Sequence, residues 1–529
     1  MEKRIILCVA VFFLFFTGCS RRYLEESADK EVYRIIDEKK KTVKAETLPD
    51  VAISITDRVN SETIVLELKD AIVRAVESNR TYKSMQEDVY MNILDLTYQR
   101  YLFGTRYSLG GNLNWNKGDG ESVSGSVSFG LLRWLAAGTQ ITFDITKDFI
   151  RYLTGDKNTD IQTIISTDIL QPLLRGAGRK IAQEDLVQAE RNAIYEIRSF
   201  TRYRKSFSID TAEKFLQLLL IRNRTENYKN NYESLKSTRE RIEMLAQAGR
   251  IASFQVDQAK QNEYAAYQRW VNAENSYNSQ LDSFKIFLGL PTESRLLLDE
   301  ELLDHLVESG LSTAEFNVKE AIRNALSRRL DLLTDYDSVE DAKRGITIAL
   351  DKLKPRVDLT ASVSGSTDVE SHPTFDFTDF SYGVGIEFDL PLDKLPDRNT
   401  YKKALINLNR AERNFENKRD TVILEVFQQY RNLEEYYQSY LIQKNSLALA
   451  ERRIESTDLL LQAGRATTRD LLDAQEAYLS AKNDLASAVV NYIVSYLNFL
   501  YSTESLEVDA NGVWEDNLYE KITKEDTQK

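Results

Sequence analysis

Two carboxylates three residues apart, Asp470 and Asp473, open a long stretch whose apolar residues recur at helical spacing. On a helix that spacing turns both side chains the same way. Thr467 and Asp470 also fit a Thr-x-x-Asp capping box, and acids near a helix N-terminus are favoured by its dipole. Capping accounts for Asp470 but hardly for Asp473. Other chemistry is thin. Neither histidine, His305 or His372, sits in a metal-ligand spacing such as H-E-x-x-H, and the cysteines Cys8 and Cys19 form no zinc pair. Gly176-Ala177-Gly178 lacks the full G-x-G-x-x-G pattern and reads as a strand-to-helix turn. No catalytic residue, metal or cofactor is expected, and the chain reads as a non-enzyme.

The acids lie in QAGRATTRDLLDAQ (462–475), which has a near-echo 215 positions upstream, QAGRIASFQVDQAK (247–260). Gln255 and Gln258 stand there in place of the two aspartates. A second pair of echoes, LKDAIVRAV (68–76) and VKEAIRNAL (318–326), is offset by 250. The chain therefore reads as an internal duplication. Glycine is absent from 179–248 and from 386–463, and proline from 173–290 and after Pro396. Such gaps favour long, unbroken helices.

After the second echo Leu471, Ala474, Tyr478, Ala481, Leu485, Ala488, Tyr492, Tyr496 and Phe499 recur at spacings of three and four. The positions 215 earlier repeat the seam with one exception, Glu263. A near-heptad seam predicts coiled-coil-like packing. Helices are expected over 66–104, 181–247 and 253–288, and again over 317–353, 398–462 and 466–500, each long helix being paired with two stacked half-length ones. Gly249 and Gly464 sit where a long helix turns into a short one, so the echoes are the tips of two helical hairpins.

Elsewhere the period changes to two. YSLGGNLNWN (107–116), RVDLTASVS (356–364) and YGVGIEFDL (382–390) each set apolar residues on one face against polar residues on the other, with further alternating runs at 122–129 and 139–149. A soluble sandwich would alternate in the same way. Aromatic residues near the strand ends (Tyr101, Phe103, Tyr107, Trp134, Phe149 and Tyr152) favour a water-filled membrane barrel.

The first residues read as a targeting segment. Met1–Arg4 is a basic region, Ile5–Phe16 an apolar run of 12, and Phe16-Thr17-Gly18-Cys19 follows. This is too short to span a bilayer and fits a secretory signal. The small residues before Cys19 resemble a bacterial lipoprotein signal, making Cys19 the expected lipidation site. With a formal net charge of −13, nucleic-acid binding is not expected.

The openings LELKDAI and FNVKEAI, the strand-to-helix segment QPLLRGAGR (171–179) and AGRATTRDLLDAQEAYLSAKNDLASA (463–488) together resemble the TolC-type outer-membrane efflux family, over roughly 64–505. The resemblance implies an α+β fold in which strands from three protomers close one outer-membrane β-barrel and long antiparallel helices form a periplasmic α-barrel. It implies a passive exit duct for drug efflux or type I secretion, partnered by a periplasmic adaptor (membrane fusion) protein, an inner-membrane transporter and outer-membrane lipid. It also makes Asp470 and Asp473 candidates for the periplasmic gate, and Gly249, Arg250, Gly464 and Arg465 candidates for adaptor docking. The runner-up reading is a secreted coiled-coil scaffold with a soluble β-sandwich head. The expected organisation is a signal peptide (1–18), an N-terminal extension holding a helix or a tether (19–63), a first repeat (64–290), a linker (291–316), a second repeat (317–504) and a charged tail (505–529). Residues 105–172 are long for the single strand hairpin that the resemblance assigns them.

Overall fold

The computed structural model describes residues 21–43, 64–117, 121–154, 160–299, 301–312, 316–367 and 379–514. The signal segment, Cys19 and His372 lie outside the described residues. The chain forms two compact units. One joins the chain up to Val43 with Val89–Ile197 and Thr334–Glu416; the other joins Lys44–Asp88, Arg198–Leu333 and Asn417–Lys529.

The first unit is built on a six-stranded antiparallel sheet. Its strands are β2 (Thr105–Lys117), β3 (Glu121–Trp134), β4 (Gln140–Tyr152), β5 (Asp160–Pro172), β7 (Arg356–Thr367) and β8 (Asp379–Asp389), in the order β2-β3-β4-β5-β7-β8. Residues 105–172 thus hold four strands in two hairpins, which accounts for a stretch too long for one and for its further alternating runs. Register sorts the faces. Leu109 pairs with Phe129, which pairs with Ile145, which pairs with Ile165, while on the other face Ser108 pairs with Gly130, Asp144 and Ser166 in turn. Two glycines have a local reason. A Cβ on Gly125 would stand 2.7 Å from the Phe149 ring, and one on Gly130 would stand 2.6 Å from the Ser108 hydroxyl. A sandwich head would need a second sheet facing this one. The other sheet among the described residues is the two-stranded pairing of β1 (Ile64–Leu66) with β6 (Leu296–Leu298), and it belongs to the other unit.

Helix α1 (Arg21–Val43) settles the extension as a packed helix over those residues. Val32, Ile35 and Ile36 are buried, and Asp29 accepts a 2.6 Å hydrogen bond from the Tyr90 hydroxyl. The first unit also holds most of α3 (Arg80–Phe103), the start of α5 (Glu184–Gln247), most of α9 (Leu330–Lys352) and the start of α10 (Leu395–Gln462). Charged pairs join α5 to α9: Arg191 to Asp341 at 2.5 Å, and Arg344 to Glu184 at 2.9 Å.

In the second unit, the half-length helices expected over 66–104 and 317–353 are each broken. Helix α2 (Leu68–Ser78) ends at Asn79, whose ψ of 126° is extended. Asn79 then caps α3, accepting from the Tyr82 N–H at 2.9 Å while its amide donates to the Phe287 carbonyl at 2.7 Å. Helix α8 (Val318–Arg328) stops likewise at Arg329, with ψ of 119°. Neither residue is a helix breaker by propensity, so tertiary partners make both breaks. The segment expected as a linker carries β6 and α7 (Glu301–Ser309). The short α4 (Arg179–Ala182) precedes α5, which is followed by α6 (Ser253–Phe287), and α10 is followed by α11 (Thr468–Ser502). The α11 seam is buried but for the half-buried Tyr478: Leu471, Ala474, Ala481, Leu485, Ala488, Tyr492, Tyr496 and Phe499 are each at most 6% exposed. Helix α11 is also long and apolar enough to cross a membrane by composition, but 67% of its most apolar window is buried inside the protein. The α6 seam is looser, with Trp270, Ala273, Tyr277 and Leu281 half-buried, and its exception, Glu263, is held by Arg239 at 2.8 Å.

An ion network surrounds the second break. Arg329, with 3% of its side chain exposed, bonds Asp331 at 2.8 Å and Glu425 at 2.5 Å; Asp331 also meets Lys418 at 3.0 Å and Arg202 at 3.6 Å. Arg202 and Lys205 both reach Glu504, at 2.5 and 2.8 Å. Glu504 has φ of +58°, a left-handed conformation that its two cations hold in place. Burial alone would raise the Asp331 carboxyl, but the Arg329 hydrogen bond and the nearby Arg202 outweigh it and hold the group well below the usual carboxylate range. A depressed folded-state value contributes stability above the unfolded carboxylate pKa, near 4, and that contribution disappears as pH falls below it. Replacing Asp331 with Ala leaves Arg329 buried and under-paired, and thermal or denaturant unfolding should register a loss of about 3 kcal/mol at pH 7. The difference between Asp331→Ala and wild type should shrink below pH 4; an unchanged difference at pH 3 would contradict the assignment.

Candidate functional site

Both echoes end their helices by the same hydrogen-bond geometry. Gly249 has φ of +73° and Gly464 +72°. The Gly249 N–H donates to the Ala246 carbonyl at 2.9 Å and the Arg250 N–H to that of Leu245 at 2.9 Å; at the other tip Gly464 donates to Leu461 at 3.0 Å and Arg465 to Leu460 at 2.8 Å. This is the Schellman closure, which needs a left-handed residue and satisfies carbonyls that the helix end leaves unpaired. A Cβ on either glycine would meet nothing within 4 Å, so backbone conformation alone selects glycine here. Arg250 and Arg465 follow directly, both exposed.

The next turn differs between the hairpins. At the second tip Thr467 caps α11 with a complete capping box. Its hydroxyl accepts from the Asp470 N–H at 3.3 Å, and Asp470 accepts from the Thr467 N–H at 2.8 Å and from its hydroxyl at 2.6 Å. These bonds from the Thr467 hydroxyl and backbone hold the Asp470 carboxyl below the usual carboxylate range. At the first tip Ala252 occupies the capping position and offers no side-chain bond. Gln255, in the place of Asp470, instead accepts a 2.8 Å hydrogen bond from the buried Thr468 hydroxyl. The difference in capping residue therefore accounts for Asp470 on local grounds. Asp473 has no such duty: it is 61% exposed and its nearest cation, Arg469, is 3.9 Å away. The two aspartates lie on the same exposed turn, and the carboxylate left uncommitted there is that of Asp473.

The hairpins are tied side by side along their length. Arg241 bonds Asp458 at 2.5 Å, Arg269 bonds Glu476 at 2.6 Å, and the buried Gln475 amide donates to Ser234 and Thr238 at 3.2 and 3.1 Å. Leu472 closes a small core with Leu235 and Ala266. The tip turns are therefore carried on braced helices. Among the described residues no group of three or more His, Cys, Asp or Glu is placed to hold a metal ion. Sequence reading missed the Arg329–Asp331–Glu425–Glu504 network, because its members are scattered through the chain without periodic signal.

Comparison with known proteins agrees with this architecture. The model of the family described as "Outer membrane efflux protein" matches residues 321–498. The outer membrane protein TolC of Escherichia coli strain K12 is 25% identical over 278 residues, covering 50% of this chain and 54% of TolC, and TolC of Salmonella enteritidis is 27% identical over 196 residues, 36% and 40% of the two chains. The alignments thus span about half the length of these curated relatives or less. The solved outer membrane channel CmeC of Campylobacter jejuni superposes with a TM-score of 0.61 at 13% identity, over 89% of this chain and 93% of CmeC. The open state of the Neisseria gonorrhoeae channel MtrE gives 0.60 at 14%, over 87% and 96%.

Swapping the tip glycines tests the turn geometry. Gly464→Ala should cost about 1 kcal/mol through the left-handed backbone, and Thr467→Ala a similar amount through the lost cap. Hydrogen exchange at the Ala463–Leu472 amides should speed up in both variants, while Ala252→Gly at the other tip leaves those amides unchanged. Over residues 321–498 the chain is thus similar to outer membrane efflux proteins, and its fold is shared with the solved outer-membrane channels, which supports an outer-membrane location.

Proposed function

We propose that three copies of this chain form a passive exit duct across the periplasm and outer membrane, serving a tripartite efflux pump or a type I secretion system. The observation that carries the reading is one chain combining an amphipathic sheet of 11- to 14-residue strands with two helical hairpins built on helices of 64 and 68 residues. The strands are long enough to cross a hydrocarbon core when tilted, and the helices would reach about 100 Å at 1.5 Å per residue. In this reading the sheets close one β-barrel, the hairpins of three chains form an α-barrel, and the tips meet a periplasmic adaptor that couples to an inner-membrane transporter. Gly249, Arg250, Gly464 and Arg465 then present six equivalent turns to a partner that repeats around the ring. The chain acts without a cofactor and carries no catalytic step of its own.

Cys19 is the proposed lipid attachment point. A palmitate analogue should label wild type and not Cys19→Ser. The unlabelled variant should nevertheless remain in the detergent-requiring outer-membrane fraction, because the strands hold it there. A Cys19→Ser chain released by salt would instead mark a soluble scaffold.

Asp473, with Asp470 beside it, is the proposed periplasmic gate. Three copies around one axis repel by about 1 kcal/mol per pair at ~4 Å in water and more near a protein surface, and such a ring attracts cations. In planar bilayers, divalent or trivalent cations should block the wild-type pore from the periplasmic side. Asp473→Ala should remove most of that block and the Asp470→Ala, Asp473→Ala double variant all of it, with Gln255→Ala plus Gln258→Ala nearly silent. Block that survives in the double variant would place the gate elsewhere.

A further inference from the structure

The sheet stops at two open edges. β2 and β8 end the strand order, and among the described residues neither has a partner on its outer side. Both are long, and their apolar side chains are the barest in the sheet: Leu109, Leu113, Tyr382 and Val384 are 71%, 72%, 76% and 81% exposed. A hydrocarbon layer does not tolerate a row of unpaired N–H and C=O groups, so in a membrane each edge must be covered by another strand. Within the chain every neighbouring pair is antiparallel, and six is an even number. β2 and β8 therefore run in opposite directions, so β8 of one copy meets β2 of the next antiparallel, and the alternation continues unbroken around a ring.

The covering strand must carry the same division of faces, and a second copy does. One face holds Leu109, Phe129, Ile145, Ile165, Val363 and Tyr382 in neighbouring strands; the other is a carpet of short polar residues such as Ser108, Ser126, Asn112, Ser166, Ser364 and Ser381. Set into that polar face, among the described side chains, are six carboxylates (Asp144, Asp148, Asp168, Asp358, Glu387 and Asp389) against two guanidiniums (Arg106 and Arg356), a net of four negative charges from these groups.

We propose that β8 of each copy pairs with β2 of the next to close an eighteen-stranded barrel, whose wide, acid-lined lumen passes large hydrophilic solutes that are neutral or cationic. The inference rests on the trimer proposed above and adds the strand number, the bore and the charge preference. One hairpin in 105–172 would have given twelve strands. With strands about 4.8 Å apart and tilted about 40°, eighteen enclose a backbone diameter of about 36 Å against about 24 Å for twelve. At eighteen strands a barrel holds an aqueous channel, and the Ser, Asn and Gly lining takes up little of it.

The test reads the barrel independently of any constriction at the helical tips. Cysteine is placed at Ser364, in the middle of the polar face, or at Val384 on the apolar face, and intact cells are labelled from outside. Small maleimides should label Ser364→Cys and spare Val384→Cys; equal labelling of both, or of neither, would remove the channel reading itself. A maleimide carried on a polymer about 20 Å across should still label Ser364→Cys, since about 5 Å of side chain on each wall leaves an opening of about 25 Å in an eighteen-stranded barrel but only about 14 Å in a twelve-stranded one. Labelling by the small reagent but not the large one in wild-type background overturns the eighteen-stranded barrel and leaves the duct standing. Deleting residues 121–159 removes β3 and β4 while keeping strand direction, and should lower the size limit to that of the narrower barrel. A cationic methanethiosulfonate should outpace an anionic one at Ser364→Cys by about tenfold or more, as expected for a lumen that concentrates counter-ions. Asp144→Asn with Asp148→Asn and Asp168→Asn should cut that ratio severalfold; a ratio near one in wild type would overturn the charge preference.

Discussion

A main-chain N–H or C=O that loses water must find another partner, and this one requirement shapes each of the two units. At the hairpin tips the last carbonyls of two long helices are satisfied by amides folded back on them, which forces one residue at each tip into a left-handed backbone and fixes glycine at 249 and 464. In the sheet the same requirement is met strand by strand across six strands, and among the described residues nothing meets it along the outer edges of β2 and β8. Those two straight edges are where the backbone of the described sheet still lacks a protein partner.

The helical unit is organised by a different bargain. Its two half-length helical stretches are interrupted by Asn79 and Arg329, residues that could have stayed helical. Each instead spends its side chain on a distant element, Asn79 on the Phe287 carbonyl and Arg329 on Glu425. Buried ion pairs offset their desolvation only when every partner is present, so the cluster of Arg329, Asp331, Glu425, Arg202, Lys205 and Glu504 behaves as one structural joint rather than as separate bridges. Glu504 illustrates the cost: a non-glycine residue takes a left-handed conformation at the end of α11 and is kept there by two cations.

Much of this was legible in the residues alone. The glycine-free stretches, the seam from Leu471 to Phe499 and the alternation from Tyr107 to Trp115 announced helices and strands, because each is a local pattern repeated often enough to outweigh propensity noise. The paired tips were legible because one left-handed glycine is all that the turn requires, and the same Gln-Ala-Gly-Arg run marks it twice. The breaks at Asn79 and Arg329 were not, since their cause lies in partners that the sequence keeps far away. β6 and α7 were hidden in a stretch read as a linker, being too short to carry a period of their own. For the candidate site the signal was ambiguous by nature: Asp470 and Asp473 share one spacing, yet Thr467 ties up the first and leaves the second exposed, and only the hydrogen-bond geometry separates them.

The sheet also sets an order of events on the chain's maturation. β2 to β5 come from one continuous stretch, but β5 must find β7, and Thr163 pairs with Thr367, 204 positions further along the chain. Until the second half of the chain arrives, β5 is a long strand with a bare edge, and pairings at such sequence separation form late and slowly. An incomplete sheet with an apolar face and exposed edges is prone to associate with whatever strand is at hand. A newly made chain must therefore be shielded in transit until its two halves have met, and the interval between β5 and β7 is the period of greatest exposure to misassembly.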